Sequence, residues 1–280
     1  MQDSQNSSPR PAWLPVALSV VGRHQFLTGR QVAALAGVDR GEVLTALEGL
    51  VAEKIVVRLH PTRSLDGAPP DPAFALSRRG AALVAGATGR PAPRVPNPAK
   101  SLYMLTHDLA RNELGVVLEV LHRSGRLRLL RWETARTRIG ASVQLALRGR
   151  PLRVPLVADA LAIVEVAGKT DALLVEIDRG TVSLPRMRTK YAGYLAWWRE
   201  GGPERRFGQK ALRVLTIAPN ETRLRRLRGA ATEATDGRGS GFFWFGEQRL
   251  IDVGDPLLLC SAGWLSGPYS SEQRAGTPLW

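Results

Sequence analysis

Asp159, Glu176 and Asp178 are the residues whose type and spacing best suit chemistry. Asp159 interrupts an apolar run, LVADALAIV, and Glu176 and Asp178 close another, LLVEIDRGT, seventeen residues on. Side chains two apart on a strand point to one face, so Glu176 and Asp178 share a face. If the two runs are neighbouring strands, Asp159 sits beside that pair. Three converging carboxylates repel one another unless a cation lies between them, and a hard ion such as Mg²⁺ is the natural choice. The competing reading gives Asp178 a local job: it closes a turn with Arg179 and Gly180 and pairs nearby. An unpaired acid inside an apolar strand is costly to bury, which favours a functional cluster.

The elements that must hold these acids read as alternating helix and strand. Leu105–Leu121 carries apolar residues at helical spacing. Leu127–Thr134, Val143–Leu147, Pro155–Val166 and Ala172–Ile177 read as strands. A helix follows from Leu184 to about Arg199, with Pro185 tolerated in its first turn. Ala211–Ala218, Glu221–Ala234 and Gly241–Phe245 complete the series as strand, helix and strand. The pattern predicts a mixed-sheet α/β domain over residues 100–280.

Ahead of it lies a different module. Leu14–Val21 is an apolar helix, Thr28 caps a helix over Gly29–Ala36, and Asp39 caps another from Arg40 to about Glu53. The strand Lys54–His60, a Gly- and Pro-rich loop over 64–72, the strand Ala73–Leu76 and a helix opened by Ser77 follow. That order is a winged helix-turn-helix. The expected organisation is a disordered tail (1–12), a winged helix (13–87), a Pro-rich linker (88–99) and the α/β domain (100–280). Four prolines within residues 88–98 keep the linker extended.

The chain of 280 residues carries 39 Lys and Arg against 25 Asp and Glu, a formal +14. Such a surplus attracts polyanions, nucleic acid first. Residues 1–99 hold 11 basic and 7 acidic side chains and residues 100–280 hold 28 and 18, so most of the excess lies in the second domain. Candidate DNA contacts are Arg30, Gln31, Arg40, Lys54 and Arg58 in the winged helix. Arg126 and Arg128 follow at alternating strand positions, with Arg179, Arg186 and Arg188 beside the acids. The third helix weakens a simple groove-reading role, because Asp39, Glu42, Glu48 and Glu53 dominate its polar positions. Either Arg30, Gln31 and the wing contact DNA, or the module binds a protein.

A single cysteine, Cys260, excludes a disulfide framework and a multi-cysteine metal site. Four scattered histidines lack metal-ligand spacing. Apolar runs of about eight residues fall well short of the ~20 that span a bilayer, and the polar N-terminus has no apolar signal core. A cytoplasmic protein with no membrane association is expected.

The HDLARNEL helix, VADAL, VEIDRGT and the KYAGYLAWW helix resemble the bacterial replication-relaxation family. More broadly, the element order is similar to the PD-(D/E)xK nucleases. The resemblance implies a winged helix joined to a nuclease-like domain and a role on plasmids or mobile elements. By motif, Asp159 matches the strand aspartate and Glu176 the acid that follows, with Mg²⁺ as the implied cofactor. The superfamily lysine would stand at position 178, where this chain has Asp178. Lys190, on the next helix, either reaches back to supply the cation or is an ordinary solvated lysine. Asn112, if it faces inward, would hydrogen-bond the acids.

The resulting expectation is a DNA-binding protein of plasmid or mobile-element replication or relaxation, with weak or absent nuclease activity. Its partners would be DNA, a second copy of the chain, and a replication or conjugation protein. Two alternatives stand beside it: an active Mg²⁺-dependent endonuclease, and a winged-helix transcription regulator whose second domain dimerises or binds a partner.

Overall fold

The computed structural model describes residues 11–61, 71–134, 141–147, 150–237, 241–267 and 276–280. The expected N-terminal tail (through residue 10) and most of the loop at 64–72 lie outside these residues. Two compact units divide after Asn112.

The first unit opens with α1 (Leu14–His24), β1 (Leu27–Thr28), α2 (Gly29–Ala36) and α3 (Arg40–Ala52), followed by β2 (Val56–Leu59), β3 (Ala73–Leu76) and α4 (Arg78–Thr88). Its antiparallel sheet has the order β1-β3-β2, which is winged-helix topology. Local chemistry sets the boundaries. The Thr28 hydroxyl accepts from Gln31 N at 3.2 Å while Gln31 Oε1 accepts from Thr28 N at 2.9 Å, a reciprocal capping box. Asp39 caps α3 through Gly41 N at 2.8 Å, and Ser77 caps α4 through Gly80 N at 3.0 Å. Val43, Leu47 and Leu50 form the buried stripe of α3.

The Pro-rich stretch does not mark the division between units. Pro93 and Leu76 close on Gly22, where a Cβ would stand 2.8 Å from Pro93 Cγ. The long helix α5 (Pro98–Arg123) then begins within the first unit. Leu105 and Leu109 join the core of Phe26, Leu59, Ala73 and Ala75. Asn112 Nδ2 donates to the carbonyls of His24 at 3.0 Å and Phe26 at 2.7 Å. Asn112 therefore serves the winged helix and not the acids: it satisfies the His24 carbonyl at the end of α1 and the Phe26 carbonyl in the turn beyond it.

The second unit contains β4 (Arg128–Glu133), β5 (Ala141–Leu147), β6 (Arg150–Leu156), β7 (Ala160–Val166), β8 (Lys169–Ile177), α6 (Leu184–Arg199) and α7 (Gly202–Phe207). After these come β9 (Leu212–Ala218), α8 (Glu221–Ala234), β10 (Phe243–Glu247) and β11 (Leu265–Ser266). Six strands form one mixed sheet in the order β11-β10-β9-β8-β7-β4. β8, β9 and β10 are parallel neighbours, as the intervening crossover helices require. β5 and β6 form a separate antiparallel hairpin. It packs on α6 at Gly193, where a Cβ would lie 2.8 Å from Leu156. Tyr191 of α6 meets Phe243 and Phe245 of β10 edge-on, with ring centroids 5.1 and 6.0 Å apart.

The expected single strand Pro155–Val166 is two strands. β6 ends at Leu156 and β7 starts at Ala160, so Asp159 stands in the passage between hairpin and main sheet.

Candidate functional site

Glu176 is the penultimate residue of β8, only 4% exposed, and faces α6. Its Oε2 accepts from Lys190 Nζ at 2.5 Å, and its Oε1 accepts from the Tyr194 hydroxyl. Lys190 and Tyr194 are one helical turn apart, so a single face of α6 delivers both donors. Burial pushes the Glu176 carboxyl up to about 7; Lys190 pulls it down and the nearby Asp159 raises it. Next to this group, the Tyr191 hydroxyl lies 3.1 Å from Thr216 Oγ1 of β9. Burial lifts the ionisation of both tyrosines above the ordinary phenol value, which keeps their hydroxyls protonated.

Asp159 continues the β7–β8 ladder with its side chain. Its N–H donates to Val175 O at 2.8 Å, and its Oδ2 accepts from Ile177 N, also at 2.8 Å. A carboxylate thus takes the place of a strand carbonyl where β7 begins.

Asp178 has a different set of partners. Arg223 of α8 donates Nε to Oδ1 at 2.9 Å and Nη2 to Oδ2 at 2.8 Å. Gly180 N donates to Oδ1 at 2.6 Å, so the local turn expected as an alternative is present. The bidentate contact raises the Arg223 guanidinium above its ordinary value. Arg223 Nη2 also donates to the Val182 carbonyl, fastening the loop that leads to α6.

Glu176 and Asp178 are neutralised from different helices. Both Asp178 oxygens are bound by a guanidinium, and both Glu176 oxygens by an ammonium and a phenol. A three-carboxylate Mg²⁺ cage at Asp159, Glu176 and Asp178 does not fit this donor set. Among the described residues no group of three or more His, Cys, Asp or Glu is placed to hold a metal ion. The Arg223 guanidinium, the Lys190 ammonium and the Tyr194 hydroxyl together hold the Asp178 and Glu176 oxygens that a divalent ion would need.

The candidate DNA contacts separate into several environments. Gln31 is a correction: at 1% exposure it is spent on the capping box and on donating Nε2 to Leu109 O at 3.2 Å. Arg40 pairs with Asp71 at 2.8 Å and Arg58 with Glu48 at 2.9 Å, so both offset acids of their own module. Arg30 and Lys54 are exposed. Arg126 precedes β4, so it does not form a strand row with Arg128, whose guanidinium pairs with Glu165 on β7 at 2.8 Å. Arg179 is half-buried, Arg186 is exposed, and exposed Arg188 pairs with Glu233 at 2.8 Å. On α8, Arg228 is 1% exposed and Arg223 turns inward, so only Arg225 and Arg226 of that run face solvent.

Sequence reasoning missed Tyr194 and Arg223 as partners of the acids. The four-residue step from Lys190 to Tyr194 was a usable signal. Nothing local singles out Arg223 among the arginines of α8.

The fold defines a two-unit protein, a winged helix followed by an α/β domain on a mixed sheet, with buried acids held by helix-borne cations. The chain belongs to the replication-relaxation family, whose model matches residues 18–211. A solved structure of a Lactococcus lactis ZitR mutant is also similar: 11% identity, a TM-score of 0.25, 45% of this chain and 80% of that one. No curated protein matches the chain. Among the described residues, no helix is long and apolar enough to cross a membrane.

Proposed function

We propose that this protein binds DNA in the replication or relaxation of a plasmid or mobile element, and that its second unit is nuclease-like in layout without cleaving. The observation that carries DNA binding is the formal +14, most of it in residues 100–280, with 28 basic against 18 acidic side chains. Exposed Arg186 and Arg226 belong to that surplus. Phosphate neutralisation by such side chains releases counterions and drives binding. Family membership supplies the replication setting.

Two observations support the absence of cleavage. Position 178, where the resemblance calls for a lysine, holds an acid locked to Arg223. The Lys190 ammonium, which would have to stabilise charge on a scissile phosphate, is engaged with Glu176. The reading is tested with supercoiled and linear DNA in Mg²⁺ and in Mn²⁺, alongside an anisotropy titration at low and high salt. Salt-sensitive binding without nicking is expected. The endonuclease reading has one observation in its favour, that Lys190 does reach Glu176, and efficient Mg²⁺-dependent cleavage abolished by Lys190→Ala would establish it.

A further inference from the structure

We propose that the Lys190 ammonium is the built-in cation of the Glu176 site, and that the site takes a hard divalent ion only when that ammonium is removed. This deepens the reading of a second unit that does not cleave, and it rests on that reading.

The argument starts from the acids. Glu176 is buried at 4% exposure beside Asp159, whose charge acts on it directly. Glu176 is out of water and half-buried Asp159 adds negative charge beside it, so the buried carboxylate requires a counter-charge. Lys190 provides it at 2.5 Å, from a side chain that is itself only 23% exposed. The Tyr194 hydroxyl occupies the remaining Glu176 oxygen. Asp178 cannot contribute to a common site, since Arg223 spans both of its oxygens. A divalent ion approaching Glu176 would meet an ammonium already at its oxygen, and like charges at such separations repel strongly where water is scarce. The helix has therefore placed a covalently tethered cation where an exchangeable one would bind. Unlike a metal, it cannot be lost to chelators or carry an activated water.

Removing the ammonium reverses the balance. In Lys190→Met the two carboxylates lose their counter-charge, and a hard oxygen-preferring ion becomes the best replacement. Because the loss of Lys190 also favours protonation of Glu176, the comparison belongs at about pH 8, where a metal competes better with the proton.

The test is thermal unfolding of the full chain with and without Mn²⁺ at roughly a hundredfold excess over its dissociation constant. Wild type and Lys190→Arg should shift by less than about 1 °C, whereas Lys190→Met and Lys190→Gln should rise by about 5 °C. The rise should vanish in the Glu176→Gln, Lys190→Met double variant. Circular dichroism establishes folding of each variant beforehand. A wild-type shift as large as that of Lys190→Met overturns the proposal, as does no shift in folded Lys190→Met and Lys190→Gln. The wild-type titration stands as a test even if both neutral variants unfold. Cleavage of DNA by wild type with a flat Mn²⁺ response defeats the non-cleaving reading alone. A wild-type Mn²⁺ response without cleavage defeats the lysine assignment alone.

Discussion

The guanidinium of Arg223 holds both carboxylate oxygens of Asp178, through Nε at 2.9 Å and Nη2 at 2.8 Å. The pair joins the end of β8 to the first turn of α8 across 45 residues of chain. The Asp178 side chain is 1% exposed, so it has little recourse to water if its partner is removed.

Breaking that pair from one side should therefore be severe. Arg223→Met leaves a buried carboxylate uncompensated and should cost about 3–5 kcal/mol. The Asp178→Asn, Arg223→Met double variant should recover part of the loss, because no net charge then remains buried. Urea unfolding of wild type, Asp178→Asn, Arg223→Met and the double variant forms a double-mutant cycle. A loss below roughly 1 kcal/mol for Arg223→Met would place the pair with ordinary surface bridges.

Glu176 should make stability depend on pH. Its folded value is raised from 4.5 to about 7, so between those values the native state holds a proton that the unfolded chain releases. Its contribution is therefore complete below about pH 4.5 and is lost as pH rises through about 7. The full span corresponds to on the order of 3 kcal/mol. Glu176→Gln removes the titrating group, so its stability should fall less steeply than that of wild type across this window. Parallel slopes for the two proteins in urea melts would show that Glu176 does not titrate there.

Asn112 should matter to the winged-helix unit. Asn112→Leu strips the donor from the His24 and Phe26 carbonyls and should cost about 1–3 kcal/mol. Hydrogen exchange should rise first around the end of α1 and β1. A loss of stability without added exchange in residues 20–28 would contradict this placement.

DNA binding should distinguish exposed arginines from buried polar groups. Arg186→Ala with Arg226→Ala should weaken binding and flatten its salt dependence by about one to two counterions. Gln31→Leu should lower stability by about 1 kcal/mol, through loss of its side-chain bonds to Thr28 N and Leu109 O, and leave the salt slope unchanged. An unchanged slope in the double arginine variant would move the interface elsewhere on the second unit.

Much of the layout is legible in the residues themselves. Thr28, Asp39 and Ser77 announce their helices because capping is settled within three residues. α6 reads as Leu184–Arg199 in sequence and structure alike, since Pro185 marks its start and its apolar residues recur at helical spacing. Lys190 is legible as a cation on the helix after Glu176, but spacing alone does not separate it from a solvated lysine.

The partners of those residues are decided elsewhere. Asp159 reads as a strand residue from its apolar neighbours, yet it stands where the chain leaves the β5–β6 hairpin, and strand pairing alone fixes that break. The Pro-rich stretch reads as a boundary from its composition, but Leu109 and Asn112 beyond it bind the first unit. Gln31 reads as a DNA contact and is turned inward, and Arg223 is turned toward Asp178. Residue type and spacing therefore determined the elements and the acids. Tertiary packing decided which cation meets which acid, because the rotation of α6 and α8 is set by what Tyr191, Leu224 and Leu227 bury, not by the charges those helices carry.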